Sequence, residues 1–570
     1  MKNKLYEGQK LNNFRELVDL YKNKYSENIA FEYKRNHDDT EHVKISYAKF
    51  AEDIENLGTA LLKSSSKRIC IIADNRYEWF VSYLAITTAG LCVVPLDKSL
   101  PDNEIISLIE RSEADGIFYS KSYENVINSY KNSHTKFNTF GFDNGDFDKL
   151  LENGKKYNHN SYNKVKIKED EMYIMIFTSG TTSISKAVMH SQYAICMDLY
   201  ALSQMIKIKE SDKFLSFLPL HHTFENTTTF LFGTSCGYTV AICEGLKYIQ
   251  KNLVEYQITG FVCVPLMLEI MYKKIWTTIE KQGKTNLVNR MRKIFRHFPI
   301  LIKRLVFKSI IDGLGGKLKI IISGGAAMDE ETLQGYNDFG FDIHQGYGLT
   351  ETAPVIAGEN SFEKKVGSIG FPLPTVDIKI DKPDKDGIGE IITKTPTIML
   401  GYYKNDKATN EVIVDGWFHT GDYGYIDEDS FVFVTGRKKD MIVLKNGKKI
   451  FPEEVETLIN KLPYVTESMV FGYIDNNKQS RNQDVVLYAK VVYDEDKLKD
   501  TFPFDKNSKI DKHDFYCDKI SKDIKTNINK QMPAYKYIRN VIITDVPLIK
   551  TTTQKIKRSE EMKLINKELN

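Results

Sequence analysis

A buried strand that empties into a hydroxyl-rich loop, with a lysine just beyond it, constrains this chain more than any other feature. Ile174–Phe177 is an apolar, β-branched run and reads as a buried strand. It passes into Thr178, Ser179, Gly180, Thr181 and Thr182, and Lys186 follows on the way into the next element. Small hydroxyls and backbone N–H groups in such a loop point together at one anion, and the lysine adds charge. That is the chemistry of a triphosphate cradle. No second glycine precedes Lys186, so this is not the Gly-x-x-x-x-Gly-Lys-Ser/Thr phosphate loop. An ordinary Ser/Thr-rich turn is the plain alternative.

The flanking chain sets the architecture around that loop. Asn12 is placed to cap a helix whose apolar positions Phe14, Leu17, Val18 and Tyr21 share one face. Ser46 opens a second helix with the stripe Phe50, Ile54, Leu57 and Leu61. Short apolar strands over 69–72, 92–96 and 114–118 alternate with a helix over 77–89. Further strands are expected over 214–218, 320–322 and 341–344. Strands and helices alternating at this length predict a parallel, doubly wound α/β sheet, with ligands beyond the carboxyl ends of its strands. The loop after Phe177 has that placement. Beyond Lys438 the composition turns basic and polar, with its own helix–strand alternation over 453–462, 467–474 and 485–493. The expected organisation is therefore a large N-terminal domain, 1–437, and a small α+β C-terminal domain, 438–570. Residues 494–522, rich in Asp and Lys, read as a surface excursion.

Length and charge narrow the class. At 570 residues the chain exceeds a single core. Its 79 basic against 76 acidic side chains leave a net charge of +3, too balanced for nucleic acid as the main partner. The seven cysteines form no Cys-x-x-Cys pair, which fits reduced thiols and a cytoplasmic setting. No signal peptide is read at the N-terminus, and Gly90 and Pro95 interrupt the longest apolar stretch, Trp79–Leu96. Residues 277–319 read as largely helical, broken at Pro299. Their basic residues (Arg290, Arg292, Lys293, Arg296, Lys303, Arg304, Lys308) are interleaved with apolar ones. A solvated face over a core stripe is the ordinary reading, and contact with an anionic membrane is the sharper one.

Other stretches carry candidate chemistry. Ser323-Gly324-Gly325-Ala326-Ala327 is a close-approach turn after a strand. Gln345-Gly346-Tyr347-Gly348-Leu349-Thr350-Glu351-Thr352 reads as a second glycine-spaced loop. There Tyr347 offers a face for a planar base and Glu351 a carboxylate for a hard cation such as Mg²⁺. Asp422 and Arg437 suit the hydroxyls of a ribose if the fold brings them together. His221 and His222 follow a strand end, but adjacent turn residues diverge and no third ligand is near, so a pocket wall is favoured over a metal site.

The strings FTSGTT, SGGAA, QGYGLTET, GWFHTGD, TGRKKDMI, KNGKKIFPEEVE and IKTTTQKIKR occur in this order across nearly the whole chain. Together they resemble the adenylate-forming superfamily, and the layout is most similar to long-chain fatty-acid–CoA ligases. The resemblance implies an acid–thiol ligase that uses ATP, Mg²⁺ and coenzyme A, with a small, mobile C-terminal domain. The acid would be activated as acyl-AMP, releasing pyrophosphate, and then passed to the CoA thiol with release of AMP. By the same resemblance, Thr178 to Thr182 and Lys186 match the pyrophosphate loop, and Thr182 and Glu351 the metal ligands. Gly324, Gly325, Ala326 and Gln345 to Thr350 match the adenine and α-phosphate walls. Asp422 and Arg437 match the ribose contacts, and Lys555 the adenylation lysine. Lys439 falls at the hinge, Gly447 in the loop that enters for thioester formation, and His222 at the gate of the acyl pocket.

Several positions depart from that pattern. Ser183, Ser185 and Ala187 stand for Gly, Pro and Gly, Gln192 for His, and Gln554 for the glycine before the lysine. If position 554 needs a positive φ, the substitution costs on the order of 1 kcal/mol. Two other functions fit these residues: adenylation with transfer to an acyl carrier protein, and a non-catalytic nucleotide- or acyl-binding sensor. The setting implied is cytoplasmic, with possible peripheral membrane contact.

Overall fold

The computed structural model describes residues 4–178, 185–326, 328–444, 448–474, 485–504, 510–551 and 555–569. Two large sheets dominate it. In the seven-stranded sheet, Cys92–Pro95, Arg68–Ile72, Gly116–Tyr119 and Asn138–Gly141 run parallel, with Ile174–Thr178 parallel to Cys92–Pro95. Lys186–His190 and Gly401–Tyr402 close one edge antiparallel. The nine-stranded sheet has a parallel interior of Ile29–Tyr33, Thr239–Ile242, Lys213–Ser216, Gly260–Cys263, Ile320–Gly324 and Asp342–Gly348.

Alternation along each strand explains why both sheets bury both faces. Ile71, Val93 and Ile174 of one sheet, and Phe31, Phe214 and Ile322 of the other, point into one shared core. The helices Phe14–Asn23, Tyr47–Leu61, Tyr77–Thr88 and Gln192–Met205 fill that core. The neighbouring residues Cys70, Val94 and Met175 face outward under the helix Asp102–Ser112. Leu215, Phe261 and Ile321 face outward under Pro265–Lys281 and Glu330–Phe339. A period of two with apolar residues at both phases is what a sheet covered on both sides demands. The expected doubly wound architecture is therefore the observed one.

A third, antiparallel sheet contains Gly389–Lys394, Trp417–Ile426 and Val432–Arg437. Beyond it, Val465–Tyr473, Val486–Tyr493 and Ile538–Thr544 form a three-stranded sheet with a separate apolar cluster drawn from residue 442 onward. Among the described residues no helix is long and apolar enough to cross a membrane. None of the seven cysteines is disulfide-bonded.

Four expectations need correction. The first helix is capped by Asn13, whose side chain accepts from the N–H groups of Arg15 and Glu16, while Asn12 donates its own N–H to Glu16. The Asn12 position lies one residue too early for a cap to reach the first free N–H groups. The stretch Gln345–Gly348 is not loop: the strand Asp342–Gly348 runs through it, parallel to Ile320–Gly324 and antiparallel to Val355–Gly358. Glycine permits this pairing, because a Cβ on Gly348 would stand 1.7 Å from the Pro354 carbonyl oxygen. The segment 494–522 is more than a surface excursion, since Leu498, Tyr516 and Ile520 on its helices enter the C-terminal core.

The fourth concerns the basic stretch. Its helices are Pro265–Lys281, Thr285–Phe295, Ile300–Val306 and Lys308–Gly313, interrupted at Pro299 as expected. Several of its cations are structural. Arg292 and Arg296 both reach Asp338 at 3.1 Å. Arg304 donates to the Leu318 carbonyl at 2.7 Å, and Lys308 pairs with Asp312. A fully buried Asp338 needs those guanidiniums, so only part of the basic face is left for any partner.

Candidate active site

The carboxyl ends of the two large sheets border a cleft of about 3090 Å³. On one side stand Thr178 and Lys186, the two stems of the loop that follows Ile174–Thr178. Ser179, Gly180, Thr181 and Thr182 lie outside the described residues, as does Gly447, but the stems of the loop are defined. Thr178 is paired directly with Lys186 across the antiparallel ladder, and its hydroxyl donates to the Lys186 carbonyl at 3.4 Å. The Lys186 ammonium lies 4.5 Å from the centre of the Tyr402 ring.

The departures near this loop have structural partners. Ser185 accepts from Arg111 at both its hydroxyl (3.0 Å) and its carbonyl. Ala187 is buried within the strand. Gln192 accepts from the Phe14 N–H at 2.9 Å and donates to the Thr87 carbonyl at 2.8 Å, so it joins three helices. Ser183 and Gln554 lie outside the described residues.

The opposite wall comes from the nine-stranded sheet. Gly324 ends its strand against the Phe224 ring, which a Cβ would meet at 2.7 Å. Gly325 follows in the left-handed region (φ +87°) and Ala326 lines the cleft. A Cβ at Gly325 would come within 4.0 Å of the Lys555 side chain, so this turn is where Lys555 arrives. Gln345 is held by the scaffold: its N–H donates to Glu359 at 2.8 Å and its amide to the Ser368 carbonyl at 3.2 Å. Gly346, Tyr347, Gly348 and Thr350 continue the wall.

Asp422 and Arg437, fifteen positions apart, lie directly opposite each other on neighbouring strands. The Arg437 Nε stands 3.1 Å from the Asp422 carboxylate, whose other oxygen accepts from the Tyr347 hydroxyl at 2.6 Å. Asp422 is 2% exposed. Burial first, and then the neighbouring carboxylate, push the Tyr347 hydroxyl well above its ordinary pKa. It therefore stays protonated and donates. The third sheet thus carries a carboxylate and a guanidinium to the edge of the aromatic wall.

Glu351 sits on the one-turn helix Thr350–Thr352. The Tyr402 hydroxyl donates to its carboxylate at 2.8 Å, and the Met399 N–H to its carbonyl at 2.8 Å. His190 Nε2 lies 2.6 Å from the Thr350 carbonyl. Burial lowers the His190 pKa to about 4, so the ring is neutral near pH 7 and must donate from Nε2. A carboxylate that lines the cleft is an oxygen donor that fits Mg²⁺. Asp381, Glu390 and His419 also converge, but the Lys438 ammonium already stands 2.7 Å from Glu390.

Lys555 enters from the C-terminal side, where its backbone carbonyl accepts from Thr551 at 2.8 Å. Water reaches its side chain along the open cleft, yet protein surrounds it densely. Burial, and then the Arg437 guanidinium, lower its pKa to about 8. Lys439 lines the cleft on the turn after Arg437, and burial lowers its pKa as Asp440 opposes the shift. His222 lines the cleft too, with its ring 4.1 Å from that of His221, which stands 3.5 Å from Asp97. Burial holds His222 well below the usual imidazole range. No third ligand joins the two histidines among the described residues.

Tyr402 is the residue that sequence reasoning passed over. It belongs to a two-residue edge strand with no motif around it, and only its pairing with Lys186–His190 brings it to the site. The helix Pro265–Lys281 also lines the cleft, with the apolar side chains Leu266, Met267, Ile270, Met271 and Ile275 beside Glu269, Lys273 and Lys274.

Fold and site together define a nucleotide-binding enzyme of two unequal parts. The AMP-binding enzyme family matches residues 20–403, and the AMP-binding enzyme C-terminal domain matches residues 439–570. The chain belongs to the AMP-binding enzyme family. It is 26% identical over 456 residues to the long-chain-fatty-acid–CoA ligase FadD15 of Mycobacterium bovis, covering 75% of each chain. Fatty acyl-CoA synthetase B of Dictyostelium discoideum is 28% identical over 476 residues, covering 75% of this chain and 70% of that protein. A chloroplastic long-chain-fatty-acid–acyl-carrier-protein ligase of Arabidopsis thaliana is 25% identical over 527 residues, with 74% and 69% covered. The crystal structure of ATP-bound MatB from Rhodopseudomonas palustris superimposes with a TM-score of 0.75 at 21% identity, covering 98% of this chain and 99% of that one. The protein is thus an adenylate-forming ligase that joins an acid to a thiol.

Proposed function

We propose that the protein activates a medium- to long-chain fatty acid and transfers it to coenzyme A. The observation that carries this reading is the set of apolar side chains that the helix Pro265–Lys281 contributes to the same cleft as Glu351 and Lys555, which suits a hydrocarbon chain. The names of the relatives support it. In the first step a carboxylate oxygen of the acid bonds to the α-phosphorus of ATP. The bond to the bridging oxygen breaks, and pyrophosphate leaves. Lys555 and Lys186 supply positive charge where charge develops on the phosphates. Tyr347 offers its face to the adenine, and Asp422 accepts from the ribose hydroxyls beside Arg437. Glu351, with Thr182 of the loop, would hold Mg²⁺, which neutralises phosphate charge when bound. In the second step the CoA thiol, losing its proton, bonds to the acyl carbon, and the carbonyl–phosphate bond breaks to release AMP.

The domain boundary we propose is Arg437/Lys438, with Lys439 as the hinge about which the C-terminal part turns between the two steps. The separate apolar cluster beyond residue 442 supports it. A carrier protein is the second acceptor to consider, favoured by the Arabidopsis relative and by the basic residues Lys438, Lys439, Lys448 and Lys449. Peripheral membrane contact is also proposed. Leu287, Ile294, Phe298, Leu301 and Leu305 are exposed on the stretch after that helix, Pro265–Lys281, and no acidic residue occurs from Lys281 to Ile311.

The test is carboxylate-dependent ATP–pyrophosphate exchange over acids of increasing chain length, followed by AMP release with CoA or with carrier protein. Exchange is expected to be strongest with medium or long chains and AMP release to require CoA. Exchange with short or aromatic acids alone would overturn the fatty-acid reading, and release driven only by carrier protein would replace CoA as the acceptor.

A further inference from the structure

Two groups of the proposed ATP site lie far apart in sequence: the loop-stem lysine Lys186, on a strand of the seven-stranded sheet, and the carboxylate Glu351, on a one-turn helix between two strands of the nine-stranded sheet. One side chain touches both. The Tyr402 hydroxyl donates to Glu351 Oε1 at 2.8 Å, and the face of the same ring carries the Lys186 ammonium at 4.5 Å. The backbone repeats the connection. Met399 N–H donates to the Glu351 carbonyl, and Leu400 and Tyr403 N–H donate to the carbonyls of Met189 and Ala187, each at 2.8 Å. Residues 399–403 therefore lace the turn bearing Glu351 to the strand bearing Lys186.

The ring itself cannot drift. Tyr402 is 4% exposed and packs with Val188, Met399, Ala408 and Phe418. Its N–H donates to the Thr409 hydroxyl at 2.9 Å. A neutral tyrosine suits this place. Its hydroxyl orients a carboxylate without neutralising it, whereas a lysine or arginine there would compete with a divalent cation. Its π face holds an ammonium without a counter-charge, so Lys186 keeps its full charge for phosphate.

We propose that Tyr402 is a positioning residue that couples the metal-binding carboxylate Glu351 to the phosphate-binding lysine Lys186. This rests on the reading of the cleft as an ATP site. Tyr402 takes no part in the bonds that form and break. It presets the angle of Glu351 and the reach of Lys186 before nucleotide arrives, so that magnesium and triphosphate meet groups already in place.

Calorimetric titration of ATP into the full-length protein, across a series of magnesium concentrations, separates the two contacts. Tyr402→Phe keeps the ring and removes the hydroxyl. It is expected to raise the magnesium needed for half-maximal ATP affinity by roughly tenfold, the scale of a hydrogen bond to a charged group. ATP binding without magnesium and the thermal midpoint should stay close to wild type. Tyr402→Leu removes both contacts and should also weaken magnesium-free ATP binding, by roughly threefold. In the cycle with Glu351→Gln, the magnesium effect of Tyr402→Phe should vanish, because the hydroxyl acts through that carboxylate. An unchanged magnesium dependence in Tyr402→Phe, or an effect that persists in the Glu351→Gln background, would overturn the proposal even if Tyr402→Leu fails to fold. Wild-type protein that binds no ATP at any magnesium level would overturn the ATP-site reading along with it.

Discussion

Lys555 comes from the far end of the chain to within reach of Gly325, Arg437 and Asp422. If its ammonium stabilises charge at the α-phosphate, Lys555→Ala should slow acyl-AMP formation by roughly a hundred- to a thousandfold. Thioester formation from supplied acyl-AMP should stay largely intact if the lysine serves only the first step. Single-turnover assays of the two half-reactions check this, and equal loss of both would make Lys555 structural. The charge also fixes a pH dependence. Because the pKa is lowered to about 8, the ammonium is present below that value, and the first half-reaction should weaken as pH rises through it.

At the scale of elements, the stretch Thr285–Val306 divides between two masters. Val288 and Arg292 turn inward, the latter to Asp338, while Leu287, Ile294, Phe298, Leu301 and Leu305 face out. The exposed cations Arg290 and Lys293 flank that apolar row. A surface that meets anionic lipid gains on the order of 1 kcal/mol per such cation, and more from any apolar side chain that inserts. Co-sedimentation should therefore favour anionic over zwitterionic vesicles and weaken with salt. A variant combining Arg290→Glu with Lys293→Glu should lose the anionic preference without unfolding, since neither residue supports Asp338. Binding that ignores lipid charge, salt and the variant would remove the membrane reading.

For the whole molecule, the C-terminal part touches the large part through pairs that a rotation must break. Lys461 stands 3.1 Å from Asp329, Lys449 3.4 Å from Asp384, and Lys555 lies in the cleft. Partly exposed pairs of this kind are worth little each, so they would part at small cost if the C-terminal part turns between the two steps. If rotation occurs at Lys439, then Lys439→Pro, which pins φ near −65°, should leave adenylation running. Transfer to CoA should slow on the order of a hundredfold, the scale expected when reacting groups are misplaced. Normal rates in both half-reactions would put the hinge elsewhere.

The linear chain made its repetitive physics legible. Apolar residues at both phases of short strands announced sheets covered on two faces, and the stripes Phe14–Tyr21 and Phe50–Leu61 announced the helices that cover them. Hydroxyls, glycines and charges at fixed spacing announced nucleotide chemistry, because those groups act through local backbone geometry. What sequence left open depends on contacts between distant segments. It suggested Asp422 and Arg437 for one ribose, but only strand pairing sets them face to face. It saw a loop at Gln345–Gly348 because glycines punctuate it, whereas tertiary pairing makes a strand in which those glycines admit a neighbouring backbone. It counted Arg292 and Arg296 as surface charge, whereas the fold buries Asp338 beneath them. It passed over Tyr402, whose two partners lie 51 and 216 positions away and meet it only after two sheets have packed. Local propensity is carried by neighbours in the chain, while pairing of charge and close approach of backbone are settled by which surfaces the core brings together.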